Sequence, residues 1–142
     1  MIKSSKMKNS IARAKKILVV EDEPAICDVC YRVLSNEGFE VDIAVNGKLA
    51  QDMIEKKQYD FCLIDIRIPA MNGEGLYQWL QESHPALADR VMFTTGDVMD
   101  GDTRSFLQQT ARPFLLKPFT PSEVKAMARE ALKEVGKWRR NK

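Results

Sequence analysis

Acidic, hydroxyl and basic side chains occur directly after four apolar runs of this 142-residue sequence. They are Glu21-Asp22-Glu23 after the first run, Asp65 after the third, Thr95-Gly96 after the fourth and Lys117-Pro118 after the fifth. Carboxylates that crowd together raise one another's pKa unless a cation intervenes. Mg²⁺ suits such a site, because its usual ligands are carboxylate, water and phosphate oxygens. If the fold brings these residues together, they predict a divalent-metal site.

A carboxylate beside a bound metal can also act as a nucleophile. Asp65 can attack an incoming phosphoryl group and form an aspartyl-phosphate. Such transfer depends mainly on positioning and on neutralising the phosphoryl oxygens. The metal can take one of these oxygens, the Lys117 ammonium another, and the Thr95 hydroxyl or nearby backbone amides the third. Gly96 leaves room for the group to enter. The side chains therefore predict metal-assisted phosphoryl transfer to Asp65.

Five short apolar runs alternate with five helical patterns along the chain. Strands are predicted at residues 16–21, 40–44, 59–65, 90–95 and 113–116, and helices at 24–37, 47–57, 74–83, 100–109 and 121–137. This alternation predicts a doubly wound (βα)5 α/β fold with three layers, in which a parallel sheet has helices on both faces. Ligands of such sheets bind beyond the carboxyl ends of the strands. The predicted site residues all lie at those ends.

Local patterns add detail to this prediction. The second strand alternates apolar and polar residues, which indicates a position near the edge of the sheet. Thr120 and Glu123 have the spacing of a capping box at the start of the last helix. The inward side of the second helix is predicted to carry Leu49, Ala50, Met53 and Ile54.

The net charge of +2 conceals an uneven distribution. Residues 1–16 contain six basic residues and residues 137–142 contain four, with no acid in either segment, which leaves a body of charge −8. We interpret the ends as a basic leader or linker (1–15) and a basic tail (139–142), in preference to nucleic-acid-binding arms. The sequence has neither an apolar membrane span nor a secretory signal, so a cytoplasmic location is expected.

Three cysteines, Cys27, Cys30 and Cys62, raise the question of redox or metal chemistry. Cys27 and Cys30 have the spacing of a redox motif, but they lie within a helical pattern and no second Cys or His pair follows at zinc-ligand spacing. We therefore interpret them as packing residues, with redox or metal binding as the alternative.

The motifs Val-Val-Glu21-Asp22-Glu-Pro, Leu-Ile-Asp65-Ile-Arg-Ile-Pro-Ala-Met-Asn-Gly73, Phe-Thr-Thr95-Gly96 and Phe114-Leu-Leu-Lys117-Pro118-Phe resemble those of response-regulator receiver domains. The resemblance covers about residues 15–137, and we place the receiver domain at residues 16–138. It implies a flavodoxin-like fold with strand order 2-1-3-4-5 and Mg²⁺, or alternatively Mn²⁺, as cofactor.

The same resemblance implies a role for each site residue. Asp65 is the phosphoacceptor, and the metal is held by Asp65, Asp22, Glu21 and the backbone carbonyl of Arg67. Thr95, Gly96 and Lys117 bind the phosphoryl group, and the Lys117–Pro118 peptide is cis. Thr95 and Phe114 form a switch that alters the face made by the fourth helix, fifth strand and fifth helix.

The resemblance also implies the partners. A sensor histidine kinase or phosphotransfer protein donates the phosphoryl group from a phosphohistidine, and the domain catalyses its own phosphorylation and dephosphorylation. A downstream protein binds the switched face. Dimerisation through that face is left open by the sequence, and the acidic body argues against direct contact with nucleic acid. The chain is either a stand-alone regulator or the receiver of a hybrid histidine kinase.

Other functions compete with this interpretation. A dehalogenase-type phosphatase would need a second aspartate where this chain has Arg67, and His84 is better interpreted as a surface residue than as a phosphoacceptor. The chain lacks a glycine-rich nucleotide-binding motif after the first strand. The main alternative is a receiver-like interaction module that is not phosphorylated.

Overall fold

The computed structural model describes residues 14–140, and of the side chains those up to residue 134. Five strands form one parallel sheet: β1 (Lys16–Val20), β2 (Glu40–Ala44), β3 (Phe61–Asp65), β4 (Val91–Thr95) and β5 (Phe114–Leu116). Their order is β2-β1-β3-β4-β5, and every neighbouring pair is parallel. The predicted fold class and strand order are confirmed.

Six helices connect or follow these strands within residues 14–140. They are α1 (Pro24–Asn36), α2 (Gly47–Lys56), α3 (Gly73–Ser83), α4 (Gly101–Thr110), α5 (Pro121–Arg140) and a single helical turn between α3 and β4 (Pro85–Ala88). The single turn is absent from the sequence prediction. None of these helices combines the length and apolarity that crossing a lipid bilayer requires.

The sheet separates two apolar cores, because alternate side chains of a strand face opposite sides. On β1, Leu18 and Val20 pack with α2, α3 and α4, whereas Ile17 and Val19 pack with α1 and α5. All five residues of β3 and of β4 are buried, as expected for strands covered on both faces. This double covering fixes the positions of the strand ends.

Polar caps start several helices. The Asn46 side chain accepts a hydrogen bond from the Leu49 amide at 2.7 Å, and Asn72 accepts one from Gly75 at 2.8 Å. The predicted capping box is confirmed: Thr120 and Glu123 each accept a hydrogen bond from the other's amide, at 3.1 and 2.7 Å. These bonds satisfy amides that have no partner inside the helix.

One predicted core position is wrong. Leu49 is 40% exposed, whereas Ala50 and Ile54 are buried. Residues four positions apart lie on the same side of a helix, and Leu49 lies about 100° away from that line. The buried stripe of α2 is therefore narrower than the sequence pattern indicates.

The two edge strands differ in their side chains. On β2, Glu40 and Asp42 are paired with Lys57 at 3.2 and 2.9 Å. On β5, Phe114 and Leu116 are 44% and 46% exposed. One edge of the sheet is thus charged and the other apolar.

Candidate functional site

The strand ends bring the predicted site residues to one edge of the sheet. In the sheet register Val20 is opposite Ile64, Asp65 is opposite Thr94, and Thr95 is opposite Leu116. Glu21, Asp65, Thr95 and Lys117 each end a strand or directly follow one, so they meet at the carboxyl edge of β1, β3, β4 and β5.

Three carboxylates form a cluster at this edge. One oxygen from each of Glu21, Asp22 and Asp65 lies within 4.8 Å of the other two. Glu21 and Asp65 are buried, whereas Asp22 is exposed. Burial raises the pKa of Glu21, the Asp65 charge raises it further, and Lys117 opposes both. An all-oxygen, acidic donor set with one exposed member fits a hydrated hard cation such as Mg²⁺.

Lys117 supplies the positive charge of the cluster. Its Nζ lies 2.9 Å from Glu21 Oε1, 3.0 Å from Glu23 Oε1 and 3.1 Å from Asp65 Oδ2. Burial lowers the pKa of Lys117, but hydrogen bonds to these three carboxylates outweigh that effect and raise the pKa. The ammonium therefore stays charged at neutral pH and partly neutralises the acids.

Glu23 belongs to this arrangement although the sequence assigned it no role. Its side chain is mostly exposed and pairs with Lys117, and its backbone amide donates a hydrogen bond to Glu21 Oε2 at 3.1 Å. The one available signal was its position beside Glu21 and Asp22. That signal is weak, because acidic side chains after a strand are common on protein surfaces.

Thr95 closes the side of the site formed by β4. It is fully buried, and its Oγ1 accepts a hydrogen bond from the Asp97 amide at 3.2 Å. The Lys117 amide donates to the Thr95 carbonyl at 2.7 Å, which ties the end of β5 to β4. The Lys117–Pro118 peptide is cis. Gly96 is exposed, and a Cβ there would meet no atom within 4 Å.

The loop after β3 holds the backbone around Asp65. The Arg67 amide donates to Asp65 Oδ1 at 3.0 Å, and the Gly73 amide donates to the Ile66 carbonyl at 2.8 Å. A Cβ on Gly73 would lie 2.7 Å from Ile66 Cα and 3.0 Å from the Asp65 carbonyl. Only glycine permits this close approach, so Gly73 sets the path of the loop.

Phe114 lies away from the carboxylate cluster. It lines a cavity of about 920 Å³ at the other end of the sheet, together with Met92, Leu115 and Met127. None of the predicted phosphoryl- or metal-binding residues lines this cavity. The predicted switch role of Phe114 therefore stays a prediction.

The three cysteines occupy three different environments in the described part of the chain. All three thiols are free, and Cys30 and Cys62 lie in the two apolar cores. Burial raises the pKa of Cys30 to about 12. Cys27 is half-buried and donates a hydrogen bond to the Glu21 carbonyl at 3.3 Å. These contacts agree with packing roles.

The geometry limits the chemistry available at this edge. Asp65 is a carboxylate with one oxygen near an ammonium and the other held by a backbone amide. Histidine, the commonest general base, does not occur here: the single histidine, His84, lies after α3 and contacts Glu55 at 3.0 Å. The arrangement fits transfer of an anionic group to Asp65 with cations offsetting its charge.

Comparison with known proteins places these features in a wider context. The family model described as the response regulator receiver domain matches residues 17–129. The transcriptional regulatory protein CreB of Escherichia coli K12 is 34% identical over 122 residues, which are 86% of this chain and 52% of CreB. The chain thus spans about half the length of CreB, and similar shares hold for other curated relatives.

Two solved structures illustrate the match in fold. The receiver domain of sensor histidine kinase PA1611 from Pseudomonas aeruginosa PAO1 is 25% identical, has a TM-score of 0.72, and covers 84% of this chain and 98% of its own. That structure has a magnesium ion coordinated in its active-site cleft. The chemotaxis response regulator CheY4 of Vibrio cholerae, 20% identical, matches in fold with a TM-score of 0.74 over 83% of this chain and 98% of its own.

Proposed function

The chain belongs to the response-regulator receiver family, and on that premise we propose that Asp65 accepts a phosphoryl group from a phosphohistidine in a reaction that needs a divalent cation. The observation that carries the proposal is the contact between Lys117 Nζ and Asp65 Oδ2 at 3.1 Å, inside a cluster of three carboxylates. A nucleophile, a counter-charge and a cation-binding donor set are thereby within reach of one another.

The cation in this proposal is Mg²⁺, or alternatively Mn²⁺. Glu21, Asp22 and Asp65 would hold it, together with the backbone carbonyl of Arg67 as the fourth protein ligand. When bound there, Mg²⁺ would supply positive charge that offsets the phosphoryl oxygens. Magnesium in the cleft of the PA1611 receiver domain supports this choice.

The transfer itself forms one bond and breaks one. A carboxylate oxygen of Asp65 forms a bond to phosphorus, the bond from phosphorus to the imidazole nitrogen of the donor breaks, and its electron pair stays on that nitrogen. The Lys117 ammonium and the Thr95 hydroxyl each donate a hydrogen bond to a phosphoryl oxygen, and the open position at Gly96 gives the group access.

The outcome of the transfer is proposed to be a change at the face formed by α4, β5 and α5. Thr95 moves toward the phosphoryl group, and the exposed ring of Phe114 changes position with it. A sensor histidine kinase or a phosphotransfer protein is the phosphoryl donor, and a downstream protein binds the altered face. A homodimer through this face stays an alternative.

The larger protein context is also part of the proposal. CreB is a transcriptional regulatory protein and PA1611 is a sensor histidine kinase, so both a regulator and a hybrid kinase are consistent with the matched segment. The absence of direct nucleic-acid contact and the cytoplasmic location stay predictions, as do the boundaries 1–15, 16–138 and 139–142. Residues 1–13 of the leader and residues 141–142 lie outside the described residues.

Intact-protein mass spectrometry after incubation with acetyl phosphate tests the proposal. The wild type should gain one phosphoryl group with Mg²⁺ and none without it, and Asp65→Asn should gain none. Asp52→Asn makes the same chemical change on the exposed side of α2 and should behave as wild type. Circular dichroism checks that each variant is folded.

Two results would count against the proposal in different ways. Normal labelling of Asp65→Asn would show that the acceptor is another residue. Lack of labelling in the wild type, together with no effect of Mg²⁺ on its stability, would favour an interaction module that keeps the motif without the reaction.

A further inference from the structure

The Arg67 side chain links two loops at the mouth of the site. Its backbone amide is hydrogen-bonded to Asp65, and its side chain, 64% exposed, extends toward the loop after β4. There Arg67 Nη2 lies 3.7 Å from Asp97 Oδ2 and 4.0 Å from Asp100 Oδ2. Among the described side chains, Arg67 is the only cation within ion-pair distance of either aspartate. The Arg67 guanidinium is therefore the counter-charge of both carboxylates.

These two aspartates organise the start of α4. Asp97 Oδ1 accepts hydrogen bonds from the amides of Met99 at 2.9 Å and Asp100 at 3.2 Å. Asp100 Oδ2 caps α4 by accepting from the Thr103 hydroxyl at 2.8 Å and the Thr103 amide at 3.3 Å. The Asp97 amide in turn donates to the Thr95 hydroxyl. Any change in the charge near Asp97 and Asp100 thus acts directly on the first turn of α4.

We propose that Arg67 is a transferable cation: it pairs with Asp97 and Asp100 before phosphorylation, and a phosphoryl group on Asp65 draws it away. The inference rests on the proposed function of Asp65. Arg67 is then a positioning residue that connects Asp65 with α4 through ion pairs. This connection is additional to the proposed movement of Thr95.

The relative strengths of the contacts predict which anion the Arg67 side chain prefers. Exposed ion pairs such as Arg67–Asp97 contribute little to stability, so leaving them costs little. A phosphoryl group adds a charge of about −1.5 to −2 and three strong acceptor oxygens, which guanidinium groups bind well. The Arg67 backbone is already tied to Asp65, so its side chain can turn toward that group without displacement of the loop.

The loss of Arg67 leaves Asp97 and Asp100 close together without a counter-charge. Their mutual repulsion then weakens the turn from Asp97 to Thr103. The amides of Met99, Asp100 and Thr103 then exchange with solvent more readily, because the carboxylates that they contact are no longer held in place.

Amide exchange measured by NMR tests this inference, with and without acetyl phosphate and Mg²⁺, and with the phosphorylated fraction of each sample determined by mass spectrometry. In the wild type, exchange at Met99, Asp100 and Thr103 should rise roughly two- to fivefold on phosphorylation. Arg67→Gln should show the faster exchange already without phosphate, and phosphorylation should add little. Arg67→Lys keeps the charge and should restore part of the wild-type response.

Two matched variants separate this contact from general charge effects. Arg104→Gln removes one positive charge from α4 at an exposed position and should behave as wild type. Asp97→Asn combined with Asp100→Asn keeps the caps but removes their charge, so Arg67→Gln should have no further effect in that background.

The possible failures are distinguishable. If the wild type forms no aspartyl-phosphate, the proposed function fails and this inference fails with it. If the wild type is phosphorylated but Arg67→Gln exchanges as the wild type does in both states, the inference alone is overturned and the proposed function stands.

Discussion

The Lys117 ammonium lies 3.1 Å from Asp65 Oδ2, although the two residues are 52 positions apart in the sequence. Asp65 ends β3 and Lys117 directly follows β5, and β4 lies between these two strands in the sheet. The contact therefore spans the end of β4, directly beside Thr95. This placement explains why a hydroxyl at Thr95 is within the same site as the acid and the cation.

Removal of the Lys117 ammonium should destabilise the metal-free protein. In Lys117→Ala, Glu21 and Asp65 stay buried without their counter-charge, which should cost roughly 1–3 kcal/mol in the free energy of unfolding. Mg²⁺ should recover more stability in this variant than in the wild type, because it then provides the missing charge. Urea unfolding with and without Mg²⁺ measures both effects. Lys48→Ala, at an exposed position, is the control, and an equal loss there would contradict the explanation.

A methyl group at Gly73 should disturb the loop that follows Asp65. The added Cβ would meet backbone atoms of Ile66 and Asp65, which cannot move aside as a flexible side chain can. We expect Gly73→Ala to lower the free energy of unfolding by roughly 1–3 kcal/mol. At Gly101 a Cβ would meet nothing within 4 Å, so Gly101→Ala should be neutral or slightly stabilising. Similar losses for both variants in thermal unfolding would show that packing at Gly73 is not the cause.

The neighbouring residues Thr94 and Thr95 should respond in opposite ways to replacement by valine. The Thr94 hydroxyl is buried without a hydrogen-bond partner among the described residues, so its removal should stabilise the protein by about 0.5–2 kcal/mol. The Thr95 hydroxyl accepts a hydrogen bond from Asp97, so Thr95→Val should destabilise it. Thr95→Val should also slow phosphorylation by acetyl phosphate, measured by mass spectrometry. Faster labelling of Thr95→Val than of the wild type would argue against its proposed role.

Stability should depend on pH through Asp42 at the β2 edge. Burial alone would raise the pKa of Asp42, but hydrogen bonds from Lys57 and Tyr59 outweigh it and hold the pKa below its usual value. A carboxyl whose pKa is lowered by folding stabilises the protein above its unfolded pKa, and this contribution disappears as the pH falls through the folded pKa. The stability difference between wild type and Asp42→Asn should therefore be constant above about pH 5 and shrink toward pH 3. Urea midpoints across this range measure it, and a pH-independent difference would contradict the assignment.

Much of the fold was predictable because strands and helices have distinct periods. The buried runs of β3 and β4 and the cap at Thr120 reflect local chemistry that the sequence displays directly. The predicted and observed bounds differ by three residues at the end of α5 and by at most two elsewhere, as expected where helix and strand ends fray. The turn at Pro85–Ala88 is too short for a periodic pattern to reveal it.

The sequence predicted which residues at the strand ends belong to the candidate site. It did not predict all the contacts between their side chains. The order of the strands determines which ends meet, and that order came from the family resemblance. The ion pairs of Glu23 with Lys117 and of Arg67 with Asp97 join loops, whose geometry local patterns do not specify. Leu49 failed as a core residue for a related reason, because the width of a buried stripe depends on what packs against it.

The contrast between the two sheet edges has a practical consequence for handling the protein. Charged side chains on an edge strand discourage another strand from adding to it, and β2 has Glu40 and Asp42, which pair with Lys57 after α2. The β5 edge presents Phe114 and Leu116 instead. Aggregation during concentration or storage is therefore expected to begin at β5. It should limit the concentration at which the protein can be stored.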